Sequence, residues 1–206
     1  HDYLEDYEER FESYHRKESR IQFDLELFNK ITKGGLPNKT LNIALAGTGV
    51  GKSLFMCHHA SSVLLEGKNV LYITLEMAEE KIAERIDANL LNVNIQNITE
   101  LPKPMFESKV NNLAKKTQGT LIIKEYPTAS AHSGHFKSLL NELALKKSFT
   151  PDIIFIDYLN ICASSRYRTN NNVNSYSYIK AIAEELRGLA VEANVPIVSA
   201  TQTTRS

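Results

Sequence analysis

The stretch Ala46-Gly47-Thr48-Gly49-Val50-Gly51-Lys52-Ser53 decides how the rest of the chain is read. It stands between a short apolar run, Thr40 to Ala46, and a helical run, Ser53 to Glu66, that Gly67 ends. A glycine-rich turn that leaves a strand and enters a helix is where a phosphate loop sits. Glycines let successive N–H groups point at one anion, and the helix N-terminus adds partial positive charge. Lys52 has the reach to meet the β- and γ-phosphates of a nucleotide, and the Ser53 hydroxyl suits Mg²⁺. The usual pattern begins with Gly, and here Ala46 takes that place.

Outward from this loop, apolar runs alternate with amphipathic ones. Asn69–Leu75, Thr120–Tyr126, Asp152–Leu159 and Pro196–Thr201 read as strands. Ala78–Leu91 reads as a helix with Ile82, Ile86 and Leu90 on one face. A helix opened by Pro104 carries Phe106, Val110 and Leu113. Gly134–Lys147 follows with Ser133 as its expected cap, and Tyr176–Ala193 is the last helix. Strands separated by helices of this length predict right-handed crossovers and a mostly parallel α/β sheet flanked by helices.

The N-terminal part differs in character. From His1 to Glu26 there are nine acidic and four basic side chains. Leu4, Tyr7, Phe11 and Tyr14 form one stripe of a helix expected over Asp2–Lys17, either packed on its own domain or held out as an arm toward a neighbour. Asp24–Ile31 reads as a short helix closed by Gly34-Gly35.

Composition excludes several classes. The 206 residues are 42% hydrophobic and 23% charged, ordinary usage for a folded chain and neither disordered nor collagen-like. Cys57 and Cys162 lie far apart in apolar runs without metal-ligand spacing, which predicts a reduced, intracellular protein. No apolar run approaches about 18 residues, so no membrane span is expected, and the acidic N-terminus is unlike a signal peptide. The 24 basic and 24 acidic residues balance, so any contact with nucleic acid must be local or summed over several copies.

Three further residues belong to the edge that carries the loop. Asp157 ends the run Ile153-Ile154-Phe155-Ile156, so its carboxylate emerges where ligands bind in open α/β sheets and suits the Mg²⁺ shell. Glu76 follows the strand ending at Leu75 and could polarise a water for attack on the γ-phosphate, or simply start a helix. Gln202 ends the last strand, where an amide can donate to the γ-phosphate and report its loss.

In this order and spacing, Ala46–Ser53, Leu75-Glu76-Met77, Ile156-Asp157-Tyr158 and Ala200–Arg205 resemble the RecA-like ATPase core of DnaB-type hexameric replicative helicases, nearest their T-even phage branch. Members of that family often begin the loop with Ala, which accounts for Ala46. The resemblance implies a RecA-like P-loop NTPase fold over residues 21–206 and a linker helix over residues 1–20. It implies ATP or another NTP with Mg²⁺, hydrolysed to translocate on single-stranded DNA. Glu76 takes the catalytic role with Lys52 and Gln202. Ser53 and Asp157 hold the metal, and Arg205 matches an arginine of unassigned role. It further implies a homo-hexamer when full length, primase and helicase-loader partners, and a cytoplasmic protein, in the host if phage-encoded. The arginine finger of such helicases lies beyond the Gln strand, so the chain reads as C-terminally incomplete, and weakly active and not stably hexameric alone.

Arg166-Tyr167-Arg168 and Asn170-Asn171-Asn172 lie on the loop after Asp157, where such ATPases present DNA-binding loops. Arginines suit phosphates and Tyr167 could stack on a base. A plain polar surface loop is the other reading. Other functions weighed on the same motif are a RecA- or RadA-like recombinase, a clock-type ATPase, a non-catalytic nucleotide-binding assembly module and a small-molecule kinase. The intact Lys52, Glu76 and Asp157 argue against the non-catalytic module, and no basic lid supports the kinase.

Overall fold

The computed structural model describes residues 2–47, 51–167 and 175–203. The elements in chain order are α1 (Tyr7–His15), β1 (Arg20–Ile21), α2 (Glu26–Ile31), β2 (Leu36–Pro37), β3 (Leu41–Gly47), α3 (Lys52–Leu65), β4 (Val70–Thr74) and α4 (Glu79–Leu90). They continue with α5 (Lys103–Lys116), β5 (Leu121–Glu125), α6 (Ser133–Lys147), β6 (Ile153–Asp157), α7 (Ser175–Ala193) and β7 (Ile197–Thr203), with 3₁₀ turns at Ile95–Glu100 and Leu159–Ile161.

Five strands form one sheet in the order β3-β7-β6-β4-β5, and every pairing in it is parallel. All five carboxyl ends therefore open on one edge. Strand alternation splits the core in two. Val70, Tyr72, Ile153 and Phe155 face α3 and α4 through Met56, Ala60, Val63, Ile82 and Ile86. Leu71, Ile73, Ile154 and Ile156 face α6 and α7 through Phe136, Leu139, Ile182 and Leu186. Residues buried on both faces explain why β4 and β6 read as unbroken apolar runs.

Several boundaries differ from the sequence reading. Strand β6 stops at Asp157, not Leu159: its ladder with β4 ends at Thr74↔Asp157, and the chain then turns into the Leu159–Ile161 3₁₀ turn. Strand β7 reaches Thr203 because β3 runs beside it to Gly47. Helix α6 is capped by His132, not Ser133. The His132 Nδ1 accepts from the Gly134 N–H at 3.0 Å, and the His135 Nδ1 accepts from the His132 N–H at 3.2 Å. Helix α1 begins only at Tyr7. Before it, Asp2 Oδ1 accepts from the N–H groups of Leu4 and Glu5, a side-chain turn that competes with helix. Its stripe is not packed on the domain: Leu4, Tyr7, Phe11 and Tyr14 are all well over half exposed.

The hairpin partners β1 and β2 were not legible in the sequence. They pair antiparallel and strap residues 20–37 over α3. Gly35 is obligatory there: its φ is +115°, and a Cβ would collide with the Ile21 carbonyl. Phe23 from this strap stacks on His59 of α3, ring centroids 4.3 Å apart.

Candidate nucleotide site

The parallel register gathers the expected residues on one edge. Ala46 lies beside Gln202 and Gly47 beside Thr203, so β7 carries Gln202 to the start of the glycine-rich loop. Thr74 lies beside Asp157, and the Leu75 N–H donates to the Asp157 carbonyl at 3.0 Å. Thr74 Oγ1 then donates to the Met77 carbonyl and accepts from its N–H, a tight turn with Glu76 at its tip. Gly51, at φ +86°, adopts the left-handed conformation that admits α3, with Lys52 and Ser53 in its first turn. Thr48, Gly49 and Val50 lie outside the described residues.

Within this edge, Lys52 joins two of the other groups. Its Nζ is 3.4 Å from Glu76 Oε2 and 3.7 Å from the centroid of the Tyr158 ring. The lysine side chain is 10% exposed and Glu76 45%, so the ammonium is nearly desolvated while the carboxylate meets solvent. The Asp157–Tyr158 peptide is cis.

Asp157 is fully buried. Its Oδ2 accepts from the Tyr72 hydroxyl at 2.9 Å, and its Oδ1 has no hydrogen-bond partner. Burial pushes the carboxyl above the usual range; the Ser53 and Tyr72 hydroxyls and the Lys52 ammonium oppose that rise. A buried carboxylate oxygen left unpartnered beside a serine hydroxyl is a hard-oxygen donor set that fits Mg²⁺, which takes few protein ligands and completes its shell with phosphate and water. Among the described residues there is no cluster of three His, Cys, Asp or Glu side chains that could hold a metal ion.

Three residues here were given no role from the sequence, although Tyr158 lies within a stretch that carries the resemblance. Tyr158 lies under Lys52. Tyr72 is a polar-tipped ring in an otherwise aliphatic strand, and a buried Tyr hydroxyl needs a partner. Asn160 Oδ1 accepts from Thr201 Oγ1 at 2.7 Å, tying the turn after Asp157 to the strand that carries Gln202. Only the position of Tyr72 in its strand could have marked it.

The loop after Asp157 is described as far as Tyr167. Arg166 is paired within the chain, its Nη1 2.6 Å from Glu184 Oε2 and its Nε 3.9 Å from Glu185 Oε1. Ser164 and Ser165 also donate to Glu185. Arg168 and Arg205 lie outside the described residues. No described helix is long and apolar enough to cross a membrane.

The family model for the DnaB-like helicase C terminal domain matches residues 21–206. The DnaB-like replicative helicase of Enterobacteria phage T4 is 49% identical over 205 residues, covering 98% of this chain and 43% of that protein. Among solved structures, an ATPase domain superposes with a TM-score of 0.74 at 18% identity, over 98% of this chain and 70% of that one. A DnaB-like replicative helicase solved with its primase interactions gives 0.73 at 18% identity, over 98% and 48%. At that identity the two structures speak for the fold alone. The chain spans less than half the length of the curated relatives it matches.

Proposed function

From the premise that the chain belongs to the DnaB-like helicase C-terminal domain family, we propose that it is the ATP-driven motor of a replicative DNA helicase. In this reading it hydrolyses ATP, or another NTP, to translocate on single-stranded DNA and unwind duplex at the replication fork. The observation that carries the proposal is the convergence of Lys52, Glu76, Asp157 and Gln202 on one edge of a parallel sheet.

Lys52 leaves Glu76 to neutralise the β- and γ-phosphates, and this frees the carboxylate. Glu76, half exposed at the tip of its turn, then orients water and accepts its proton. Ser53 and Asp157 hold Mg²⁺, which supplies charge neutralisation on the phosphate oxygens. Gln202 reads the γ-phosphate from the neighbouring strand, and Asn160 links it to the loop of Arg166, Tyr167 and Arg168, which meets single-stranded DNA. The near-zero net charge of one chain suits a homo-hexamer that sums six such loops. Exposed α1 supplies an arm to the adjacent subunit. A primase and a helicase loader are its partners, and the protein works in the cytoplasm, that of the host for a phage-encoded chain.

The test is ATP hydrolysis by the full-length protein with and without single-stranded DNA. DNA-stimulated turnover that Glu76→Gln removes, with nucleotide binding retained, supports the proposal. Turnover indifferent to DNA would sink the motor reading.

A further inference from the structure

Tyr72 sits on β4 opposite Phe155 of β6, and the two rings stack with centroids 5.8 Å apart and planes 15° from parallel. Phe155 and Asp157 lie on the same face of β6, two residues apart. The Tyr72 ring therefore runs along that face and delivers its hydroxyl to Asp157 Oδ2 at 2.9 Å. On the other side of the hydroxyl, Cys57 Sγ is 3.7 Å away. Cys57 is on α3, four residues after Ser53, one helical turn behind it on the same face. All of these side chains are buried: Tyr72 and Asp157 are 0% exposed, Cys57 2% and Ser53 8%.

A carboxylate can rotate about its last torsion and offer either oxygen. The Tyr72 hydroxyl, a donor held in the core by its ring, restricts that freedom. The hydroxyl holds Oδ2 and leaves Oδ1 as the oxygen without a partner. The same hydroxyl ties β6 to α3 one turn behind Ser53. We infer that Tyr72 is a positioning residue for the divalent cation. It selects the Asp157 oxygen presented to the metal and fixes the spacing between that oxygen and the Ser53 hydroxyl. The inference rests on reading Asp157 and Ser53 as the Mg²⁺ ligands. It assigns a role to a residue that touches neither nucleotide nor metal.

The test is equilibrium binding of a fluorescent ATP analogue by the 206-residue chain, titrated with Mg²⁺ and repeated in EDTA. Tyr72→Phe keeps the ring and its stacking and removes only the hydroxyl. Loss of a partner behind a metal ligand costs about 10- to 100-fold in metal affinity. The Mg²⁺ concentration for half-maximal effect is therefore expected to rise at least about tenfold, with affinity in EDTA unchanged. Asp157→Asn should abolish the Mg²⁺ effect, and adding Tyr72→Phe to it should change nothing further. If Tyr72→Phe weakens binding equally in EDTA, or leaves the Mg²⁺ dependence as in the wild type while Asp157→Asn abolishes it, the positioning role is wrong. If the wild-type chain binds nucleotide without any Mg²⁺ dependence, the reading of Asp157 beneath the inference falls, and the inference with it. A second readout needs no substitution. The buried Tyr72 hydroxyl proton should give a slowly exchanging resonance that shifts when Mg²⁺ is added to the nucleotide-loaded chain. A resonance indifferent to Mg²⁺ would overturn the inference.

Discussion

Lys52 and Glu76 are paired in this structure, yet the proposed chemistry needs them apart, with the lysine on phosphate and the glutamate on water. The pair holds an otherwise nearly desolvated ammonium between a carboxylate and the Tyr158 ring. In the proposed site Lys52→Ala would remove a charge-assisted hydrogen bond to the triphosphate, and it is expected to weaken nucleotide binding about 10- to 100-fold. Fluorescence titration with an ATP analogue reads this directly. Glu76→Gln leaves the shape and removes the proton acceptor. It is expected to retain nucleotide binding and to lower turnover of the full-length protein by about 10²- to 10⁴-fold. Near-normal turnover would return Glu76 to the role of a helix-start residue ahead of α4.

At the scale of elements, α7 holds the start of the loop that carries Arg166. Glu185 accepts from Ser164 and Ser165, and Glu184 pairs with Arg166. A phosphate that recruits Arg166 must compete with Glu184. Glu184→Gln is therefore expected to tighten single-stranded DNA binding by the full-length protein a few fold. Arg166→Ala should weaken it and lower the slope of log affinity against log salt by about 0.7 for each phosphate no longer neutralised. Filter binding across a salt series measures both, and equal slopes for wild type and Arg166→Ala would place the DNA path elsewhere. Helix α1 presents the opposite case, an apolar stripe with no buried residue. Tyr7→Ser with Phe11→Ser should leave the thermal midpoint of the chain unchanged, because both rings are mostly exposed. The same pair should weaken self-association of the full-length protein, read by sedimentation.

For the whole molecule, the join between the N-terminal strap and the sheet includes a buried neutral histidine beside Ile21 and Leu36. His59 is 1% exposed, stacks on Phe23 and meets Phe155 edge-on at 5.3 Å. Burial lowers its pKa to about 4 from an ordinary 6.5, with Asp24 and the Gln22 backbone pulling the other way. Between those values the unfolded chain binds a proton that the folded chain refuses, so stability falls as pH drops from about 6.5 toward 4. A shift of this size is worth about 3 kcal/mol once pH is below both values. His59→Leu removes that proton, so its stability should decline less than the wild type's over this range. Urea unfolding at several pH values compares the two slopes, and parallel slopes would show that His59 titrates alike in both states.

What the sequence by itself determined is local or periodic. The loop Ala46–Ser53 announced its own strand and helix, because glycines, Lys and Ser act through backbone and spacing within a few residues. Apolar runs buried on both faces marked β4 and β6, and helix lengths implied parallel crossovers, which places every strand end on one edge. That edge made Glu76, Asp157 and Gln202 legible as candidates. Tertiary structure alone decided what joins them. The strand order sets Gln202 beside Ala46 and Asp157 beside Thr74, pairings 156 and 83 positions apart in the numbering of the chain. Tyr72 meets Asp157 across 85 positions, and Asn160 meets Thr201 across 41. The β1–β2 pairing is two residues long, too short for any period to show. A side chain's type and neighbours in sequence state what it can donate or accept; only the packed sheet and its helices bring the partner within about 3 Å.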